Sequence, residues 1–143
     1  MTALLALVLA VLGPCPDARP IADAIAHAVE ARAAQGLAPV TASPAEDAAL
    51  LAVYARLESG GRVHPQPWSW DARAGVSCGP WQMPCGIRAS LRGQAATWLR
   101  WVAEGGLAGV DSSARRARVR SAEARRWVLG VLHGRLLLAR AQN

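Results

Sequence analysis

Residues 43–61 read Ser43-Pro44-Ala45-Glu46-Asp47-Ala48-Ala49-Leu50-Leu51-Ala52-Val53-Tyr54-Ala55-Arg56-Leu57-Glu58-Ser59-Gly60-Gly61, which predicts a helix with both ends marked. Ser43 with Glu46 three residues later is a capping box, and Pro44 takes the first helical position, where a missing N–H costs nothing. Leu50, Val53, Tyr54 and Leu57 recur at helical spacing and form an inward face. Gly60-Gly61 supplies the stop, because glycine readily adopts the left-handed conformation that closes a helix.

Three further helices are expected on either side. One begins after Pro20, carries Ile21, Ile25 and Val29 on one face, and stops at Gly36. Another runs from about Ser90 to Glu104, with Leu91, Ala95, Trp98 and Val102 on one side and Gly105-Gly106 as its end. The last starts near Ser113 and turns Ala124, Trp127, Val128, Val131 and Leu132 inward. No convincing strand alternation and no repeat occurs, so the expected fold class is all-α or mostly α. Residues 60–89 form a long irregular stretch holding Pro65, Pro67, Trp68, Trp70, Pro80, Trp81 and Pro84. A loop of that length in a compact domain is usually functional or carries short strands.

Composition narrows the classes. A chain of 143 residues that is 52% hydrophobic and 18% charged suits one folded domain and not a disordered segment. No apolar run approaches the roughly 18 residues of a membrane span. The net charge is +6, and every basic residue is arginine. Residues 113–143 contribute +7, with eight Arg against Glu123 alone. Such a field attracts an anionic polymer, whether nucleic acid, an anionic membrane or acidic cell-wall glycan. Arg115, Arg116, Arg118, Arg120, Arg125 and Arg126 go nearly all round the last helix with only Trp127 interleaved. A solvated face is the simpler account, and no nucleic-acid partner is expected. Gly130 and Gly134 permit close helix contact, but His133 and Arg135 argue against a membrane dimer motif.

Ala3 to Leu12 is a run of ten apolar residues followed by Gly13, Pro14, Cys15 and Pro16. The length fits the core of a secretory signal peptide, with cleavage near Ala18 and a single domain over residues 19–143. The absence of a preceding Arg or Lys counts against it, and a buried N-terminal helix is the competing reading. Removal of Cys15 would leave Cys78 and Cys85, seven apart across Gly79, Pro80 and Pro84, a spacing that suits a small disulfide ring. Two buried free thiols are the alternative. Two Cys and one nearby His fall short of a metal site, so no metal and no cofactor is expected.

Glu58 lies in the last turn of the helix over 43–61, at the negative end of the backbone dipole. That placement favours the protonated acid, and apolar surroundings would do the same. A carboxylic acid protonated near neutral pH is what a glycosidic leaving group requires of a general acid. An exposed surface Glu is the bland alternative.

Glu58-Ser59-Gly60, followed by Ser77-Cys78-Gly79-Pro80-Trp81-Gln82-Met83-Pro84, resembles the lytic transglycosylase domain of the lysozyme-like superfamily. That family has a helix ending in Glu-Ser, a variable loop, then a Ser before Gly-x-x-Gln and an apolar residue. The match covers roughly residues 45–85. It implies a small lysozyme-like helical domain and a single catalytic acid, Glu58, which protonates the glycosidic oxygen between muramic acid and glucosamine units of peptidoglycan. Glu58 would then act as base while the muramic C6 hydroxyl attacks its own anomeric carbon, giving a 1,6-anhydro product. Ser59 would support the acid from the helix end. Ser77, Gly79 and Gln82 would line the glycan cleft, and Met83 would pack beneath its floor. Pro80 and Trp81 replace smaller residues of the family pattern, and the later Tyr-Asn-x-Gly stretch is missing: no Tyr follows Tyr54, and the only Asn is Asn143.

Trp68, Trp70 and Trp81 fit the same chemistry, since aromatic faces pack on pyranose rings while indole N–H groups reach hydroxyls. The competing role for them is a small core that holds the loop down. Trp98 and Trp127 fall on inward helix faces and are expected in the core. A hydrolase needs a second carboxylate across the cleft, and Asp71 is the only acid in the long loop. Hydrolysis by Glu58 and Asp71 is therefore the alternative to anhydro-product formation. A thiol peptidase built on Cys78 and His64 lacks a third orienting group, and His27 and His133 read as ordinary helix residues. The expected partner is the peptidoglycan glycan strand, met by a monomer that is secreted or periplasmic.

Overall fold

The computed structural model describes residues 2–64, 77–84 and 90–111. Four helices and one short hairpin follow in the order α1 (Ala3–Leu12), α2 (Ala18–Ala34), α3 (Pro44–Ser59), β1 (Ser77–Cys78), β2 (Met83–Pro84) and α4 (Leu91–Asp111). The described part is mostly helical, as the periodicity predicts. The expected last helix from Ser113, with Trp127, His133 and the arginine-rich face, lies outside the described residues.

The third helix is deeply buried among the described residues. Its start is the capping arrangement expected from the sequence: Ser43 Oγ accepts from the Glu46 N–H at 3.2 Å, with Pro44 at the first position. Every residue from Leu51 to Ala55 is buried, so α3 is covered on nearly all sides and not along one stripe. Leu51 is fully buried, while Leu50 and Leu57 of the expected inner face are only partly so. Small Ala48, Ala49, Ala52 and Ala55 let neighbouring elements approach closely. Helices α1 and α2 pack against α3 and against each other, and α4 packs on α2. Trp98 of α4 also reaches Tyr54 of α3, their rings tilted at 52° with centroids 5.2 Å apart.

Asp47 fixes the approach to α3. Only 1% exposed, its carboxylate accepts from the N–H groups of Val40 and Thr41 at 3.0 and 2.8 Å and from Thr41 Oγ1 at 2.6 Å. A buried carboxylate is sustained by such donors and by the positive end of the helix dipole.

The second helix starts two residues before Pro20, because proline is tolerated throughout the first turn. It ends where expected, with Gly36 left-handed at φ 74° and its N–H bonded to Ala33. The fourth helix overrides its expected stop and continues through Gly105-Gly106 to Asp111. Glycine costs only about 1 kcal/mol in a helix interior, and Gly105 is not in the left-handed region that would end the helix.

Ala3–Leu12 is a helix built into the core. Leu5, Val8, Val11 and Leu12 are buried against α2 and α3, each worth about 1.5–3 kcal/mol relative to exposure. Thr2 caps it, its Oγ1 accepting from the Leu5 N–H at 3.2 Å. Among the described residues no helix is long and apolar enough to cross a membrane.

Candidate functional site

The last turn of α3 carries Glu58, half-buried, with Ser59 buried behind it. Ser59 Oγ donates to the Ala55 carbonyl at 2.7 Å and accepts from the Arg62 N–H at 3.2 Å. It thereby ties the helix end to the chain that leaves it. Gly60 and Gly61 close the helix, both with positive φ, by donating to Arg56 and Ala55 carbonyls at 3.0 and 3.3 Å. These glycines satisfy two carbonyls of the dipole's negative end, and the remaining partial charge lies directly beneath the Glu58 turn.

The glutamine-bearing motif forms a hairpin. Strands β1 and β2 pair antiparallel, Ser77 with Pro84 and Cys78 with Met83. The connecting residues Gly79 to Gln82 make a turn closed by the Gln82 N–H on the Gly79 carbonyl at 3.2 Å, with Pro80 at the position that favours proline. Gln82 is the only non-glycine residue of positive φ among those described, at 49°. Its side-chain Nε2 donates to the same Gly79 carbonyl at 3.0 Å, so part of its amide serves the turn. A side chain held in a sparsely populated backbone region is a feature concentrated at functional sites. Gly79 stands at φ 78° against Gln94 of α4, where a Cβ would fall 2.0 Å from Oε1. The motif's glycine is thus favoured by its backbone conformation.

Trp81 corrects its expected role. It is 4% exposed and its indole Nε1 donates to the Leu51 carbonyl at 2.9 Å, so it anchors the hairpin to α3 and offers no face to a sugar. Pro80 and Met83 are buried as well. Loop position suggested exposure; the hydrophobic run Pro80-Trp81 was the signal that the turn faces inward.

Leu51 lies seven residues before Glu58 on the same helix. Seven residues are two turns, about 10 Å along the axis and about 20° round it. The hairpin is therefore pinned to the flank of α3 on which Glu58 stands further along. Trp68, Trp70, Asp71 and Cys85 lie outside the described residues. Cys78 is disulfide-bonded and Cys15 is a free thiol. A bonded Cys78 has no thiolate, which removes the peptidase alternative with His64. Among the described residues no three metal-ligand side chains come together.

Asp47 and Asp17 escaped the sequence reading. Asp17 accepts from the Val63 N–H through Oδ2 at 2.8 Å. Asp47 stands in the first turn of α3 and Asp17 just before α2, and only the folded chain shows which backbone groups they meet.

Comparison with family models, curated proteins and solved structures finds no match for this chain.

Proposed function

We propose that the protein cleaves the β-1,4 glycosidic bond between N-acetylmuramic acid and N-acetylglucosamine in peptidoglycan, as a lytic transglycosylase with Glu58 as its single acid and base. One observation carries this reading: the half-buried carboxylate closes a buried central helix, and a strained Gln82 turn is pinned by Trp81 to the flank of that helix. Glu58 gives its proton to the bridging oxygen as the C1–O bond breaks. The resulting carboxylate takes the proton of the muramic C6 hydroxyl as that oxygen bonds to C1, which closes the 1,6-anhydro ring and returns Glu58 to its acid form. Gln82 and Gly79 meet the glycan along the hairpin, and Ser59 holds the acid's helix end. The substrate lies outside the cytoplasmic membrane, so we place the working protein in a secreted or periplasmic setting.

Digestion of purified peptidoglycan followed by mass spectrometry tests the reading. Anhydro-ended muropeptides are the expected product. Reducing ends would replace it with hydrolysis by Glu58 and Asp71, and no glycan fragments at all would overturn it.

A further inference from the structure

Residues 12–17, between α1 and α2, are bonded to the far end of α3. The Arg56 guanidinium donates to the Leu12 carbonyl. The Asp17 N–H donates to the Gly61 carbonyl at 3.0 Å, and Asp17 Oδ2 accepts from the Val63 N–H at 2.8 Å. Cys15 lies so close to Gly61 that a Cβ there would fall 2.5 Å from its Sγ. Gly13, at φ 64°, brings the chain within 3.1 Å of Arg56 by the same measure. All the α3-side partners fall between Arg56 and Val63, on both sides of Glu58.

We infer that residues 2–17 are a permanent clamp on the end of α3, with Asp17 as its positioning residue, and stay in the working protein instead of leaving as a cleaved leader. Cutting near Ala18 would strip the Leu12 carbonyl from Arg56 and both Asp17 bonds from residues 61–63. It would also remove α1 from its packing against α2 and α3. Asp17 holds the backbone where the chain leaves α3, so it sets the direction of the segment that follows Glu58. The apolar run of ten residues is thus explained by core packing.

The clamp does not depend on glycan cleavage, and two measurements test it. Amide hydrogen exchange on the full chain should show residues 57–63 exchanging about tenfold faster in Asp17→Ala, the size expected for losing one hydrogen bond to a charged acceptor. Residues 21–32 should be unchanged, and Asp17→Asn, which keeps an acceptor for Val63, should restore protection. Intact mass of the protein, purified by a carboxyl-terminal tag from cytoplasmic and exported fractions, should retain residues through Asp17 in every fraction. A folded exported chain beginning at Ala18 or later, or exchange at 57–63 unmoved by Asp17→Ala, overturns the inference. An inactive protein leaves the clamp standing, and a cleaved one leaves the enzymatic reading standing.

Discussion

Trp81 Nε1 and the Leu51 carbonyl oxygen, thirty residues apart in sequence, meet at 2.9 Å inside the protein. A helix carbonyl already engaged by its own ladder has a second lone pair to offer, and Trp81 takes it. The contact ties the hairpin to α3 without interrupting the helix.

Trp81→Ala should therefore destabilise the protein by about 3–5 kcal/mol, the range for truncating a large buried aromatic. Trp81→Phe keeps most of the packing and loses the N–H donor, so about 1 kcal/mol of the loss should remain. Urea unfolding of the two variants separates packing from the hydrogen bond. A Trp81→Ala variant within 1 kcal/mol of the parent would mean that the indole is not seated in the core.

Asp47 accepts three hydrogen bonds while 1% exposed. Asp47→Ala leaves the Val40 and Thr41 amides without their acceptor, a loss of about 2–4 kcal/mol by the same denaturant measurement. Asp47→Asn can still accept through one oxygen and should lose less. Equal losses for the two would show that the charge, and not the acceptor geometry, holds the connector.

Gly105 is exposed in the interior of α4, with nothing within 4 Å of where a Cβ would stand. Gly105→Ala should raise stability by about 0.5–1 kcal/mol through lower unfolded-state entropy. A lower melting temperature would place the true helix end before that residue.

Glu58→Gln removes the transferable proton and preserves the shape of the side chain. Release of anhydro-muropeptides should fall by at least about a thousandfold, with circular dichroism and melting temperature close to those of the parent. Activity that survives would move the acid to another residue, and Asp71→Asn is the variant to assay next.

Native alkylation followed by mass spectrometry should add one label per chain, at Cys15, the free thiol among the described cysteines. Labelling of Cys78 should require prior reduction, since it is disulfide-bonded.

The sequence by itself determined α2, the start of α4 and both ends of α3. Ser43-Pro44 and Gly60-Gly61 act through bonds to backbone within a few residues, so their effect is legible without the rest of the chain. The Gly36 stop and the inward Ile21, Ile25 and Val29 belong to the same class. Where local signals were weak, they misled: Gly105-Gly106 read as an end, although glycine lowers helix stability without forbidding helix. Burial was decided only by the tertiary structure. Leu51 to Ala55 are covered all round because α1, α2, α4 and the hairpin converge on α3, and no single helical stripe encodes that. Trp81 looked like a sugar platform by its position in a loop, and its indole proved to be a buried anchor because Leu51 stood ready to accept it. Asp17 and the apolar Ala3–Leu12 run show the same dependence. The run of ten apolar residues is legible in the sequence, and only the folded chain shows that α2 and α3 bury its Leu5, Val8, Val11 and Leu12.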